Sequence, residues 1–371
     1  LGLAQERSIL HCNYLKSLAP TELVFLREQK TTIGEGVSLS FERNSRHAML
    51  LCFSLGACVV LGLSVGAVPI PWLDLASGTA SSLQKTVFVE IRSPRVVLAG
   101  IVGAAIAMSG GVLQGLLRNP LADPQLIGVS SGAALGAIAM IVLGSKLSLP
   151  SALLPYAMPL AAIAGAMLVI SFLYMFAGYF GQFSILTVIL VGIAINALAM
   201  VGVGIFQYIS DDAQLRSLVF WMMGSFGRAT WVTVIPASIL MLVSMWVLLS
   251  QSQNIDRLQL GEAEAMHMGV NVKRTKRILI LTTACAVGAG VSLAGIIGFV
   301  GLVVPHLARM LMGARHQVLL PASALMGAAL MILADLASRV AIVPAELPVS
   351  LVTSGLGAPF FLWLIAKTRP Q

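Results

Sequence analysis

The chain is poor in charge. Asp, Glu, Lys and Arg make up 10% of its 371 residues, and none of the four occurs between Leu147 and Ser210. A soluble core does not require so long a neutral stretch. A charge at the bilayer centre is expensive and a spanning helix takes about 20 apolar residues. The stretch therefore holds at least two membrane crossings, joined by a neutral turn near Gly178-Tyr-Phe-Gly181. Cysteine is scarce as well: Cys12, Cys52, Cys58 and Cys285. The last three lie in apolar runs without ligand spacing. That excludes a disulfide framework and a metal site, and leaves small buried hydrophobes. The sequence has no G-x-x-x-x-G-K-[ST] phosphate loop, no Ser/His/Asp set and no metal-ligand cluster, which excludes ATP hydrolysis by the chain itself. Residues 1–46 lack the short apolar core of a signal peptide. With Pro20, Gly34, Gly36 and mixed charges they read as a polar, cytoplasmic N-terminal extension.

What is present fits a polytopic membrane protein. The chain is 58% hydrophobic with 35 glycines, and its mean hydropathy is +0.93. Glycine suits helices that must approach closely without a hydrophobic drive between them. The net charge of +8 reflects loop residues and carries no sign of nucleic acid as a partner. Charge-free runs predict an all-α fold with ten spans, near 47–68, 94–117, 125–144, 154–179, 184–208, 231–250, 277–296, 298–312, 318–341 and 347–366. An even number puts both termini on one side. With the N-terminus cytoplasmic, inside segments carry Arg43, Arg46, Arg118, Arg257, Lys273, Arg274, Lys276, Arg277, Arg315, Lys367 and Arg369. Outside loops carry fewer cations: Lys85, Arg92, Arg95, Lys146, Arg216 and Arg228. The bias favours both ends inside, and leaves the outer arginines to be explained.

Five segments carry more than hydropathy. The charged loop 254–277 contains Leu260-Gly-Glu-Ala-Glu-Ala-Met-His-Met-Gly269, whose Glu, Ala and Met favour helix and whose Gly269 is a natural stop. It reads as a short amphipathic helix beneath the membrane. Its apolar residues Leu260, Ala263, Met266 and Met268 invite a partner; a solvated connector is the alternative. In Arg118-Asn-Pro-Leu-Ala-Asp-Pro, Pro120 and Pro124 force a turn between helices, and Asn119 and Asp123 can bond backbone groups left free at helix ends. Pro305 removes a helical donor from the run after Gly295, and His306 and Arg309, one turn apart, can share a partner. His306 fits a helix-end hydrogen bond better than a metal ligand. Asp335 and Arg339 are four apart and can pair; a proton relay is the weaker alternative. In Glu90-Ile-Arg-Ser-Pro-Arg95, two guanidinium groups beside a proline form a cationic knob, either snorkelling at the interface or docking carboxylates of an external partner.

Taken together and in this order, the segments resemble the membrane permeases of FecCD/BtuC-type ATP-binding-cassette importers, over roughly 47–369. The resemblance rests on Arg92-Ser-Pro-Arg95, Ser109-Gly-Gly-Val-Leu-Gln114, Asn119 to Pro124, Trp221-Met-Met-Gly-Ser-Phe-Gly227, Leu260-Gly-Glu262, Phe299 to His306, Ala334-Asp335, Arg339 and Glu346-Leu-Pro348. Ser93 and Ser350 depart from the family's Leu and Gly. The resemblance implies a homodimer in the bacterial inner membrane, two ATPase subunits below it that use ATP and Mg, and a periplasmic binding protein above. It implies no cofactor bound by this chain. It makes 258–269 the coupling helix, with Leu258, Gly261, Glu262, Ala265, Met266 and Gly269 facing the ATPase. Arg92, Arg95 and Arg339 become contacts for the binding protein. Gly192, Asn196, Gly202 and Gly204 line the translocation path. Of the family's cargoes, the run looks most like haem permeases, with siderophore or cobalamin as the alternative. An ion-coupled secondary transporter is the rival outside the family. It would need coordinating residues at mid-membrane in both halves, and only Asn196 and Asp335 stand there.

Overall fold

A computed structural model of the chain describes residues 45–66, 68–70, 72–179, 185–342 and 345–367. The turn expected at Gly178 to Gly181, most of the N-terminal extension and the C-terminal Arg369 fall at or beyond these limits. The chain divides into two compact units, Leu1–Leu50 and Leu51–Gln371. Of the first, only the opening of helix α1 is described.

Among the described residues there are helices and no strand. In chain order they are α1 (Ser45–Ser64), α2 (Trp72–Ser77), α3 (Ser82–Thr86), α4 (Ser93–Leu116), α5 (Val129–Leu143), α6 (Leu154–Tyr179), α7 (Ile185–Ile209), α8 (Asp212–Met222), α9 (Trp231–Ser250), α10 (Ser252–Leu260), α11 (Glu262–His267), α12 (Val272–Ala294), α13 (Val300–Met312), α14 (His316–Val340) and α15 (Val349–Lys367). Each expected span has its helix. Eight are long and apolar enough to cross a membrane, and the shorter α13 and the apolar part of α15 complete the set.

Helix α4 is the axle of the second unit. Buried residues run round its whole circumference, from Pro94 to Leu116, and close helix approach is what fixes its neighbours. A Cβ on Gly103 would collide with the Gly327 carbonyl of α14, and one on Gly110 with the Gly301 carbonyl of α13. Backbone-to-backbone contact of this kind is how helices associate where lipid supplies no hydrophobic drive.

The helical path into α4 begins earlier than the sequence suggests. Ser81 and Gln84 form a reciprocal capping box that starts α3, and a π-helical turn over Val87–Arg92 joins it to α4. Together Ser82–Leu116 is one run of 35 residues. Pro94 therefore sits inside a helix rather than at its start. In the π register its missing N–H would have met the Val89 carbonyl, and the indole Nε1 of Trp231 donates to that oxygen instead, at 2.8 Å. The proline is tolerated because a distant residue satisfies the acceptor it leaves free.

The turn after α4 follows its expected chemistry. Asn119 Oδ1 accepts from the Leu121 N–H at 2.9 Å. Asp123 Oδ1 accepts from the Gln125 N–H at 2.8 Å, capping a short 3-10 helix over Pro124–Ile127. Desolvation raises the Asp123 carboxyl to about 6 from its ordinary 3.8. A raised native value means that its contribution to stability is full below about pH 4 and lost as pH rises through about 6. Asp123→Asn keeps the capping oxygen and removes the titration. The variant should melt with the wild type near pH 4 and above it near pH 7, by up to about 3 kcal/mol. Parallel melting curves at the two pH values would contradict this.

Candidate functional site: a neutralised end and a docking end

Two polar regions lie at opposite ends of α4 and α14. At the first, Arg95 bridges two segments distant in sequence. Its Nε donates to Asp335 Oδ1 and Oδ2 at 2.9 and 3.1 Å, and its Nη1 and Nη2 meet Glu346 Oε1 and Oε2 at 2.8 and 3.0 Å. Arg339 Nε stands 3.2 Å from Asp335 Oδ2. That nitrogen lacks hydrogen-bond geometry to any partner, so the expected pair is a close approach of charges. The rest of the Arg339 guanidinium donates to the Gly62 and Val65 carbonyls at 3.0 and 3.4 Å. Arg92 donates to the carbonyls of Leu63, Ser64 and Val68 at 3.0, 2.9 and 2.6 Å.

These partners hold Arg92 and Arg95 inside the chain. They are only 4% and 5% exposed, and their donors are spent inside the chain. The physical reason is the early helix start. Both arginines sit well inside the Ser82–Leu116 run, where α1 and α14 pack, rather than on a free loop. Arg92 and Arg339 together cap the C-terminal carbonyls of α1, the end where a helix presents about half a negative charge. Two carboxylates and one helix end thus balance three guanidinium groups. Of the outer cations that the positive-inside bias left over, Arg92 and Arg95 are balanced locally.

At the opposite end, the segment expected to be one helix over 258–269 is two. Gly261 breaks it with φ 137°, a conformation that side-chain-bearing residues rarely adopt. Helix α10 is held inward. Ile255 and Leu258 are buried, Arg118 Nη2 donates to the Leu258 carbonyl at 2.6 Å, and Asp256 Oδ1 lies 2.6 Å from Nδ1 of the buried His316. Helix α11 is tied by Lys276 to Glu262, at 2.7 Å, and by the buried Ala265. Gly269 follows its end with φ 81°. Of the expected docking residues, Leu258 and Ala265 thus face the protein, and Glu262 binds Lys276. Met266 faces out at 59% exposure, beside Leu260 and Met268. These apolar side chains are exposed on a charged segment beyond the spans, and methionine adapts to whatever shape it meets.

The residues expected to line a path do not form one wall. Gly192 is buried. Asn196 is half-buried, its Oδ1 accepting from Ser131 Oγ at 2.5 Å and its Nδ2 donating to the Gln125 carbonyl at 3.1 Å. Gly202 packs on Leu135, and only Gly204 faces open space. Helical spacing puts 192 and 196 on one face, 202 and 204 on others. The outward face of α7 is apolar, with Ile193, Leu198, Val201 and Ile205. Pro305 lies within α13, which starts cleanly at Val300 after an irregular segment. His306 Nδ1 is buried with no partner, and no shared partner joins it to Arg309 among the described contacts.

Three features escaped the sequence. Helix α8 carries a capping box between Asp211 and Gln214, a local signal that could have revealed it. The His316–Asp256 and Arg118–Leu258 contacts join residues far apart and leave no local trace.

Comparison with known proteins agrees with this architecture. A model of the FecCD transport family matches residues 53–367. The chain is 44% identical over 326 residues to the hemin transport system permease of Yersinia pestis, covering 87% of this chain and 97% of that one. It is 40% identical over 321 residues to the vitamin B12 import system permease of Vibrio cholerae, covering 86% and 93%. A solved metal-chelate type ABC transporter in an inward-facing conformation matches with TM-score 0.78 and 35% identity, over 87% of this chain and 99% of that one. The chain is a multi-pass membrane protein and belongs to the FecCD transport family.

Proposed function

We propose that the chain is the permease of a haem importer in a bacterial inner membrane. Two copies form the conduit. Separate ATPase subunits, using ATP and Mg, dock on α10 and α11, and a periplasmic binding protein delivers cargo at the Arg95 end. The outward patch of Leu260, Met266 and Met268 carries this reading. It supplies a place to receive force on a chain with no phosphate loop of its own. Orientation follows from charge. The α10–α11 end bears Arg257, Lys273, Arg274 and Arg315, and the positive-inside bias places it in the cytoplasm. The Arg95 end then faces out with its buried arginines already balanced.

Haem as cargo is supported by the likeness to the hemin permease. The similarity to vitamin B12 permeases keeps cobalamin as the second reading. The test is competition. Proteoliposomes holding the permease, its ATPase and its binding protein should take up haem, and excess cobalamin should not reduce that uptake. Uptake of cobalamin in preference to haem would reverse the assignment.

A further inference from the structure

A cavity of about 610 Å³ opens at the Arg95 end, between the first turns of α6 and α9, the last turn of α8, the end of α12 and the segment 346–348. Its volume lies in the range of small-molecule sites, about 300–1,000 Å³. Its frame is fixed by backbone hydrogen bonds between segments. Ser225 N–H donates to the Ala294 carbonyl at 2.9 Å, and Val349 N–H to the Gly224 carbonyl at 3.0 Å. Gly295 is obligatory there, because a Cβ would strike the Trp221 carbonyl.

The lining combines apolar walls with donors. Met158, Phe220 and Leu293 supply the walls, and Trp221, Ser225 and Arg228 the polar groups. Trp221 is 5% exposed, and its indole Nε1–H is buried without an acceptor. Buried donors normally find one, but this N–H has no exposed surface and does not reach the cavity. Arg228 forms no ion pair among the described residues. Glu346 also lines the cavity, but Arg95 holds both of its oxygens. The polar group that faces the cavity without a carboxylate partner is therefore the exposed guanidinium of Arg228, beside an apolar surface.

We propose that this cavity is a receiving subsite for a flat, apolar ligand that carries carboxylates. The guanidinium of Arg228 binds a carboxylate, Trp221 lies beside it, and the apolar walls hold the ring. The inference rests on the haem reading and deepens it. Haem has two propionates on one edge of an apolar disc, so a chelate leaving the binding protein would meet this subsite by its propionate edge.

The test uses the assembled permease–ATPase complex in lipid nanodiscs without binding protein. The probes are zinc protoporphyrin, followed by its fluorescence, and the same porphyrin with both propionates esterified. The free acid should bind the wild type. Arg228→Gln should weaken it about tenfold or more, as expected for loss of a charge-assisted hydrogen bond. Trp221→Phe, which keeps a ring and removes an N–H that the ligand does not reach, should bind like the wild type, and the ester should bind poorly to all forms. No binding to the wild type, equal binding of acid and ester, or wild-type affinity in Arg228→Gln would each overturn the proposal. If Arg228→Gln instead weakens only capture of the binding protein, the cavity is a protein-docking surface and the proposal falls. ATP-driven haem uptake by the wild-type complex, measured in parallel, separates the two claims. Absent uptake sinks the haem reading, whereas normal uptake with unaltered porphyrin binding in Arg228→Gln sinks the subsite alone.

Discussion

Arg95→Ala is expected to lower the thermal stability of the purified permease by about 3–5 kcal/mol, the usual cost of removing one partner from a buried ion pair. The substitution strips Asp335, 1% exposed, of its two hydrogen bonds from Arg95. It leaves only Arg339, which approaches without hydrogen-bond geometry. Glu346 loses both bonds but is about half exposed, so it can turn to water. Most of the cost therefore comes from Asp335. Natural domains hold a margin of about 5–15 kcal/mol, so the loss should show as early melting or failure to assemble. The double variant Arg95→Met/Asp335→Leu removes the stranded carboxylate and should recover most of the loss. Melting of the wild type, Arg95→Met, Asp335→Leu and the double variant in detergent gives the coupling directly. If Arg95→Ala melts like the wild type and only loses affinity for a binding protein, Arg95 is a docking cation after all.

The spans were legible because lipid punishes charge. Runs poor in Asp, Glu, Lys and Arg marked the apolar helices to within a few residues, except at Ser82–Leu116, which starts well before the expected 94. Misreadings came where a residue's fate is set far away. Pro94 looked like a helix start, since proline favours the first turn. The Ser81–Gln84 capping box and the Trp231 indole, 142 residues from Val89, carry the helix past it. Arg95 looked like a surface cation because its carboxylates lie 240 and 251 residues away. In the 258–269 segment, the exposed apolar residues and the Gly269 stop were legible. The break at Gly261 was not, because Glu, Ala and Met propensity argued for one continuous helix. The path residues were chosen as small and polar, properties shared by side chains that hold helices together, which is what Asn196 does through Ser131 and Gln125.

Met266→Asp is expected to abolish coupled transport. The side chain stands on the outward patch of α11, where a docked ATPase would bury it. A carboxylate there, without a partner, should weaken docking by at least about tenfold. The fold should be unaffected, because Met266 is exposed while α11 is anchored from its other side by Ala265 and by Glu262 to Lys276. Melting should match the wild type, co-purification of the ATPase should fall, and ATP-driven uptake should drop to a tenth or less. Retained uptake with the variant would place the docking surface elsewhere.

The central claim is that force enters this chain at α10 and α11 from a separate ATP-hydrolysing subunit. Haem uptake into proteoliposomes, with binding protein on the side of the Arg95 end, tests it most directly. The account predicts uptake when the ATPase subunit and ATP are both present, and none when either is left out, whatever ion gradient is imposed. Uptake by the permease without the ATPase, driven by a proton or sodium gradient, would contradict it.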